Sequence, residues 1–481
     1  MNYKVVGRII SQILALEAVF MLPSVFLCIA DGNTKTCISF LLAILIITVI
    51  SLPMYLVCKN AKNTFYAKEG FVCVGLSWIV MSLAGALPFC FSGEIPSFVD
   101  AFFEIVSGFT TTGATVVGDV EALSRGVLYW RSFSHWLGGM GVLVFLLAIA
   151  PMGGGGASVH LLRAESAGPS VGKLVPQMKK TAKILYLLYI VLTVVNFICL
   201  LIGKMPLFDA VCTALGTAGT GGFGTRADSM ASFSPYIQTV CIVFAIIFGI
   251  NFNMFYLLLI RNVKGVLKNS EIKMYFAVII ASTAMITANI SSMYSSVSEA
   301  LRHSAFQVTT IISTTGFASC DFNTWPAFSK AILLALMLMG GCAGSTAGGM
   351  KCARIELLFK AFIRSIRQTL HPQRIQHIRS NGQNVDEKVI QLTFSYLCAH
   401  VILFVLSFVL ISFDGFSVET NISATIASLN NIGPGFDSVG PMVNYSGFSA
   451  FSKLVLIVDM LAGRLELFPM LVLFSPSTWK N

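Results

Sequence analysis

Long apolar stretches recur along the whole chain. Eight stretches of at least 20 residues contain no Asp, Glu, Lys or Arg: 36–58, 70–93, 132–162, 184–203, 229–260, 274–298, 331–350 and 389–413. Two more, 9–30 and about 447–475, contain one and four charged residues. A helix needs about 20 apolar residues to cross ~30 Å of hydrocarbon. The pattern therefore predicts ten membrane-spanning helices.

Four further charge-free segments are too short and too polar to span. They cover 105–118, 210–225, 303–320 and 420–436 and hold 14 to 18 residues each. All four fall on the same predicted side of the membrane, the outer one, and each ends in a cluster of Thr, Ser, Asn and Gly. Irregular backbone at membrane depth is tolerated only where it lines water or binds an ion. These four segments are the candidate functional site.

The segments form an internal repeat. One glycine marks each of them, and the marks are 109, 94 and 117 residues apart: Gly113, Gly222, Gly316 and Gly433. Each glycine lies between two long apolar stretches, so the repeated unit is helix, half-helix, glycine strand, helix. We predict an all-α polytopic membrane protein with four pseudo-symmetric repeats around a central pore. The predicted limits are an N-terminal helix pair, 1–66, followed by repeats 67–160, 161–268, 269–384 and 385–481.

Carboxylates flank every marked glycine. One acid precedes each glycine by 13 to 17 residues, namely Asp100, Asp209, Glu299 and Glu419. Another follows it by 4 to 6 residues, namely Asp119, Asp228, Asp321 and Asp437. We predict that the leading acids cap the outer ends of half-helices whose C-terminal dipole ends point at the pore axis. The trailing acids are predicted to ring the outer mouth.

The composition excludes a soluble enzyme. Only 11% of the 481 residues are charged, 56% are hydrophobic, and the mean hydropathy is +0.80. An ordinary soluble domain has about 25% charged residues. The 12 cysteines include no C-x-x-C pair and lie mostly in apolar stretches, which is typical of small buried hydrophobic residues.

Basic residues set the orientation. Ten spans with an inner N-terminus place 23 of the 32 Lys and Arg residues in one set of loops and 8 in the other. Cytoplasmic loops are enriched in Lys and Arg, so both termini are predicted to be cytoplasmic. The net charge of +10 is then a topology signal and requires no nucleic-acid partner. The outer loops carry a net charge of −5, which concentrates cations.

The chemistry predicted for the four segments is binding of a dehydrated cation. Backbone carbonyls can replace the water shell of the ion, and glycine allows them to be aimed at an axis. The predicted ligand residues are Thr111, Thr112, Gly113, Thr220, Gly221, Gly222, Thr314, Thr315, Gly316, Asn431, Ile432 and Gly433. Four external loop turns would have to reproduce the same cluster, side and flanking acids four times, so we favour the ion site.

Through these four segments, the chain resembles the potassium-translocating subunits of the Trk/Ktr/HKT superfamily, in particular its TrkH branch. The resemblance covers 70–481, and 1–66 resembles the additional helix pair of that branch. Further matching stretches are 135–141, 163–166, 340–349 and 463–466. Glycine at all four filter positions implies potassium as the ion bound in the filter. The second of the four segments departs from the family pattern, because 220–223 reads Thr-Gly-Gly-Phe where a longer hydroxyl run is expected.

The resemblance also implies partners. Subunits of this branch form homodimers in the bacterial inner membrane and associate with a cytosolic, TrkA-like nucleotide-binding regulatory subunit. The basic segment 351–388 offers a docking surface for it, although solvated inner-face residues alone explain the same charges.

A glycine cluster interrupts the stretch 331–350. Its members are Gly340, Gly341, Gly344, Ser345, Thr346, Gly348 and Gly349. Composition alone favours a G-x-x-x-G packing face. However, each glycine costs a helix up to ~1 kcal/mol relative to alanine, so a break within the span is the better account. The resemblance implies a flexible intramembrane loop that gates the pore.

Arg464 lies in the last apolar stretch. A buried arginine marks either a structural ion pair or a functional site, with Asp459 and Glu466 as candidate partners. Neither acid stands at i±3 or i±4 from it, and the two interpretations are equally supported by the residues. The resemblance implies that Arg464 faces the pore as an electrostatic barrier.

Two other function classes fit less well. A secondary transporter would place carboxylates within a repeated pair of broken helices, whereas only Glu17, Asp459 and Glu466 lie in apolar stretches. An intramembrane enzyme would need a nucleophile with its base, or metal ligands, and the sequence has no such arrangement. We therefore predict a non-enzyme that carries potassium.

Overall fold

The computed structural model of the chain describes residues 1–60, 67–141, 178–373, 376–381 and 383–479. Within these residues the fold is helical, apart from two short strands, Arg379–Ser380 and Gln383–Asn384, which pair antiparallel. The stretch 163–166 lies outside the described residues, as do residues 142–162 of the predicted span 132–162.

The N-terminal part is a helical hairpin. Its helices are Tyr3–Phe20, Leu22–Ala30 and Thr34–Cys58, and the first two together are long enough to cross a membrane. The carboxamide of Asn33 accepts a hydrogen bond from the Thr36 amide at 3.2 Å and so caps the returning helix. The hairpin packs against the helix that follows it, Ala67–Gly85.

The rest of the chain repeats one order of helices four times. The first helices of the four repeats are Ala67–Gly85 (continued as Leu87–Ser92), Met178–Ile202, Ser270–Ile290 and Glu387–Ile411. The pore helices are Phe98–Phe109, Leu207–Gly219, Val297–Ile312 and Val418–Leu429. The second helices are Arg125–Gly139, Pro235–Phe248, Ala327–Met339 and Ala450–Arg464. The non-helical residues directly after each pore helix are called filters 1 to 4.

The remaining helices lie between or after the repeats. They are Phe252–Leu259 and Val263–Leu267 after the second helix of repeat 2, Cys352–Leu370 in repeat 3, and Phe468–Phe474 and Pro476–Trp479 at the end of the chain. The helix Cys352–Leu370 carries much of the predicted basic segment.

The second helices are shorter than the ten-span prediction required. Among the described residues, six helices are long and apolar enough to span, or seven if one bent pair counts as a single span. The second helices hold only 13 to 15 residues. Each of them ends at or beside a glycine: Gly139, Gly249, Gly340 and Gly463. The prediction of uninterrupted spans was therefore wrong for the second helices of repeats 1, 2 and 4.

The break in repeat 2 is sharp. Its second helix and the helix Phe252–Leu259 meet at 89° across a gap of three residues. The break after Met339 in repeat 3 was predicted from the glycine cluster and is present, because the next helix begins only at Cys352. Charge-free length alone could not distinguish a straight span from two segments joined by a glycine turn.

Glycines also set how closely the helices pack. A Cβ built at Gly138 would overlap the carbonyl oxygen of Phe109, at the end of pore helix 1. A Cβ at Gly463 would likewise overlap the carbonyl oxygen of Leu429, at the end of pore helix 4. The second helices of repeats 1 and 4 therefore cross the ends of their pore helices in backbone contact, which positions the filters against them.

The Gly138 contact gives a stability prediction. Gly138→Ala should lower the free energy of unfolding by about 1–3 kcal/mol, because the added methyl group must push pore helix 1 away. Gly118→Ala is the matched control, since nothing lies within 4 Å of a Cβ there. Thermal unfolding of the detergent-purified protein measures both changes, and equal melting temperatures for the two variants would contradict the packing argument.

Candidate functional site

The four filters share one backbone conformation. In each, the residue two before the marked glycine has a φ of 55 or 56°, and the glycine itself has a φ between 76 and 96°. The amide of the residue between them donates to a carbonyl five residues earlier: Thr112 to Ser107, Gly221 to Gly216, Thr315 to Thr310 and Ile432 to Ala427. This is the Schellman pattern of a helix end. Four equal helix ends thus turn the chain at the four marked glycines.

The residues at positive φ before the glycines are not glycines themselves. Thr111, Thr220, Thr314 and Asn431 occupy these positions. A β-branched residue in the left-handed region is an outlier that costs of order 1–3 kcal/mol. Three threonines in this conformation store strain at one place in the molecule, which is typical of a functional site.

The marked glycines form a closed ring. A Cβ built at Gly113 would overlap the carbonyl oxygen of Gly221 in filter 2. The same overlap joins Gly222 to the Thr315 carbonyl and Gly316 to the Ile432 carbonyl. A Cβ at Gly433 would lie 2.6 Å from the Thr112 carbonyl oxygen, so the contacts return to filter 1. The sequence-predicted residues of all four repeats are therefore brought together around one axis, in the order 1, 2, 3, 4.

Some filter side chains form hydrogen bonds with other filter residues, and others are buried without a partner among the described residues. In filters 1 and 3, hydroxyl pairs form within the segment, between Thr110 and Thr112 and between Ser313 and Thr315, each at 2.8 Å. The side-chain Nδ2 group of Asn431, in filter 4, donates to the Thr112 hydroxyl at 3.0 Å. The Thr111 hydroxyl and the Asn431 carboxamide oxygen are buried without a hydrogen-bond partner among the described residues.

A cavity of about 110 Å³ lies over the ring. It is called the vestibule, and its lining includes the four marked glycines and residues that follow them in the chain. Tyr445 also lines it and donates a hydrogen bond to the Gly433 carbonyl at 2.7 Å, which occupies one of the two lone pairs of that oxygen. No pattern in the sequence indicated this contact.

The trailing acids do not line the vestibule, and their predicted ring around the outer mouth stays a prediction. The basic residues Arg131 and Arg226 line it, whereas Asp119, Asp228, Asp321 and Asp437 are absent from its described lining. Asp119 and Asp321 accept hydrogen bonds from nearby backbone amides. The Ser417 and Thr420 hydroxyls donate to Asp437 and lower the pKa of that carboxyl. These acids hold local turns together.

The leading acids lie in the first turn of the pore helices but do not cap them. The side-chain caps of pore helices 1, 3 and 4 are instead Ser97, Ser296 and Ser417. Asp100 instead binds Lys453 at 2.6 Å, and Glu419 binds Lys330 at 2.8 Å. Both pairs join neighbouring repeats at the outer ends of the helices, and the first-turn position still complements the helix dipole.

A buried ion pair supports filter 1. Glu104, on pore helix 1, and Arg131, on the second helix, are 2.7 Å apart and at most 2% exposed. Glu104 also accepts hydrogen bonds from the Thr115 hydroxyl at 2.9 Å and the Val116 amide at 2.9 Å, just after the filter. The sequence assigned Glu104 no role, because one acid in a half-helix has no visible partner until the fold supplies it.

The glycine-rich loop, residues 340–351, lies on the other side of the ring. The Gly348 amide donates to the Thr314 hydroxyl of filter 3 at 2.6 Å. A Cβ at Gly348 would lie 2.7 Å from the carbonyl oxygen of Asn430 in filter 4. The loop thus contacts residues that precede the marked glycines, whereas the vestibule is lined by the glycines and residues after them.

One carboxylate holds both ends of this loop. Glu271, near the start of the first helix of repeat 3, is buried. Its Oε1 atom accepts hydrogen bonds from the Ala343 amide at 2.6 Å and the Ala353 amide at 3.1 Å. The Cys342 amide adds a hydrogen bond to the Gly249 carbonyl at 2.9 Å, at the break in repeat 2. Repeats 2 and 3 therefore hold the loop in place together.

Arg464 joins the glycine-rich loop to repeat 1. Its guanidinium donates to the carbonyl of Thr346 at 2.8 Å and to those of Gly138 and Gly139 at 2.7 and 2.6 Å. The two acids considered as its partners make other contacts. Asp459 accepts from Ser407 at 2.6 Å, and Glu466 pairs with Arg354. Arg464 thus lies next to the glycine-rich loop, and its role as a barrier that faces the pore stays a prediction.

Comparisons with known proteins support one family. The model of the TrkH family, described as cation transport protein, matches residues 38–481. The Trk system potassium uptake protein TrkH of Salmonella typhimurium is 34% identical, and the alignment covers 100% of both chains. TrkG of Escherichia coli is 29% identical over 100% of this chain and 99% of the relative. The crystal structure of the potassium transporter TrkH from Vibrio parahaemolyticus matches with a TM-score of 0.89 and 30% identity, covering 100% of both chains.

The pair behind filter 1 yields a prediction. Arg131→Leu should lower the free energy of unfolding by about 3–5 kcal/mol, because it leaves the Glu104 carboxylate buried and unpaired. Lys330→Leu removes one partner of the more exposed pair with Glu419 and should cost at most about 1 kcal/mol. Melting temperatures in detergent compare the two, and a cost for Arg131→Leu no larger than that of the control would refute the assignment.

Proposed function

Because the chain belongs to the TrkH family of cation transport proteins, we propose that it carries potassium ions into the bacterial cell through the ring of four filters. The observation that carries the proposal is the closed ring, in which carbonyls from four repeats meet at glycines of the same conformation. Such a ring can replace the hydration shell of a cation. Glycine at all four marked positions supports potassium.

The ligands proposed for the ion are the filter residues predicted from the sequence. The carbonyls of Thr112, Gly221, Thr315 and Ile432 each lie against the marked glycine of a neighbouring filter. The unpartnered Thr111 hydroxyl and Asn431 carboxamide oxygen are available as further ligands on the loop side of the ring. Because buried oxygens without partners are costly, an ion or a water molecule at these atoms would remove that cost.

The membrane arrangement is proposed on the charge distribution. We place both termini and the helix Cys352–Leu370 on the cytoplasmic side of the inner membrane, and the vestibule outside. The limits 67–160, 161–268, 269–384 and 385–481 for the repeats, and 1–66 for the N-terminal pair, belong to the same proposal. Uptake through this pore needs no ATP hydrolysis, because 100 mV supplies about 2.3 kcal/mol per charge, or about 50-fold accumulation.

The glycine-rich loop and Arg464 form the proposed gate. The loop lies directly against filters 3 and 4, on the side opposite the vestibule, and would obstruct an ion that leaves the ring. Arg464 adds a positive charge next to the loop and donates to the Thr346 carbonyl. Opening therefore requires both the loop contacts and the arginine contacts to rearrange.

Regulation and assembly belong to the family part of the proposal. A homodimer and a cytosolic, TrkA-like nucleotide-binding subunit are proposed partners. Arg364 on the helix Cys352–Leu370 binds Glu387 of the next repeat at 2.8 Å, so this helix is tied to repeat 4 as well as to the loop. A partner that moves this helix would act on the gate from the cytoplasmic side.

The filter is tested by growth. Expression should rescue a potassium-uptake-deficient bacterium on low-potassium medium, and Gly113→Ser or Gly316→Ser should abolish the rescue, because the new side chain overlaps a neighbouring filter. Gly415→Ser is the control, since this glycine has a φ of 75° but nothing within 4 Å of its Cβ. Rescue that survives the filter substitutions at equal membrane expression would argue against the pore.

The gate is tested by flux. Arg464→Ala should raise rubidium uptake into liposomes that contain the purified protein, because it removes a positive charge, one hydrogen bond to the glycine-rich loop and two hydrogen bonds to repeat 1. Arg367→Ala, at an exposed position of the helix Cys352–Leu370, controls for loss of a guanidinium outside the pore. Unchanged flux in Arg464→Ala would eliminate the barrier role.

A further inference from the structure

His135 connects two filters from a position outside the ring. It lies on the second helix of repeat 1 and is completely buried. Its Nδ1 atom is 2.8 Å from the carbonyl oxygen of Gly108, near the end of pore helix 1. Its Nε2 atom is 3.2 Å from the backbone nitrogen of Phe223, the residue directly after the marked glycine of filter 2.

The two contacts fix the protonation of the ring. The backbone amide of Phe223 can only donate, so Nε2 must be the acceptor and carry no proton. The Gly108 carbonyl can only accept, so Nδ1 carries the proton. The neutral imidazole with its proton on Nδ1 satisfies both contacts. The alternative neutral tautomer and the doubly protonated ring would each lose the bond to Phe223.

The contact with Phe223 orients a filter carbonyl. The amide of Phe223 and the carbonyl of Gly222 belong to the same planar trans peptide, in which N–H and C=O point in opposite directions. Holding the N–H toward His135 therefore turns the Gly222 carbonyl away from His135. Gly222 lines the vestibule, so the histidine sets the direction of one carbonyl at the ring.

The same ring explains the departure of filter 2 from the hydroxyl pattern. A Cβ built at Gly221 would overlap the imidazole. At the corresponding position filters 1 and 3 carry Thr112 and Thr315, whose hydroxyls pair within their own segments at 2.8 Å. Filter 2 has no side chain there, and a residue from the neighbouring repeat fills the space and makes the supporting hydrogen bond.

Phe223 is held on two sides by the helix that carries His135. Its ring centroid lies 4.3 Å from that of His135 and 4.2 Å from the guanidinium carbon of Arg131, one helical turn earlier. Arg131 is itself fixed by Glu104. The buried and paired surroundings restrict the motion of Phe223, which is 2% exposed.

We propose that His135 is a positioning residue for ion selectivity, which fixes the Gly222 carbonyl through the Phe223 amide. The proposal rests on the proposed potassium function of the ring. A histidine that only fills space would affect protein yield and melting temperature, whereas a positioning histidine also determines how well the ring distinguishes potassium from sodium.

The experiment compares two amides at this position in the full-length protein in liposomes. His135→Asn can donate near Nδ1 but does not reach Phe223, whereas His135→Gln places an acceptor near the position of Nε2. The ratio of potassium to sodium flux should fall about tenfold in His135→Asn, as expected for one lost hydrogen bond. His135→Gln should retain a larger part of that ratio. Trp136→Phe removes a hydrogen bond from the adjacent residue to Thr193, away from the filters, and should leave the ratio unchanged.

Each outcome decides something. An unmodified protein without potassium-selective flux refutes the proposed function, whatever the His135 variants do. A selective protein in which folded His135→Asn keeps the full ratio, or in which Asn and Gln reduce it equally, overturns the positioning role and leaves the function standing. Should His135→Asn fail to fold, Gly221→Ala tests the same contact, since its methyl group pushes the ring away from Phe223. An unchanged ratio in Gly221→Ala overturns the proposal as well.

Discussion

The structure depends on satisfying main-chain groups where four helices end inside a helical bundle. An unpaired amide or carbonyl in an apolar interior costs several kcal/mol, so a chain can stop being helical there only if every freed group finds a partner. The helix-end pattern at Thr112, Gly221, Thr315 and Ile432 supplies partners for the amides. The carbonyls that it leaves free converge where an ion could bind them. The same constraint explains the glycines at the ends of the second helices, because only a residue without a side chain allows a neighbouring backbone to approach as closely as Gly138 approaches Phe109.

The ring has fourfold backbone symmetry but lower chemical symmetry. Filters 1 and 3, which stand opposite each other in the ring, carry the paired hydroxyls. Filters 2 and 4 lack this pair and are supported from outside, by His135 at Phe223 and by Tyr445 at Gly433. The marked glycines and the residues two before them have similar φ values in all four filters, so different side chains can stabilise one backbone conformation. Filters 1 and 3 are therefore held by their own hydroxyls, filter 4 by a residue of its own repeat, and filter 2 by a residue of the neighbouring repeat.

The sequence predicted the helical membrane fold and the residues that meet at the ring, because glycine and charge spacing record these features directly. It predicted ten full spans, since an apolar stretch such as 229–260 looks the same whether or not it bends at Gly249. A ring of trailing acids at the mouth stays a prediction, and the position of Asp437 in the chain could not reveal that Ser417 and Thr420 bind it. The support of the filters by Glu104 and His135, and of the glycine-rich loop by Glu271, was also out of reach, because each of these side chains acts on residues outside its own helix. Such contacts depend on tertiary distances, which local patterns do not encode.

The double contact of Glu271 determines how the glycine-rich loop can move. A single carboxylate oxygen binds the amides of Ala343 and Ala353 and so closes the nine residues between them into a stem, whose crown contacts filter 3 and Arg464. If the loop acts as the proposed gate, its crown moves about a base of fixed width for as long as that stem holds. The displaced segment also stays within reach of its resting place, so it can return without a search through many conformations. Repeatable closure of the proposed gate would then follow from Glu271, an acid that lies outside the ring of filters.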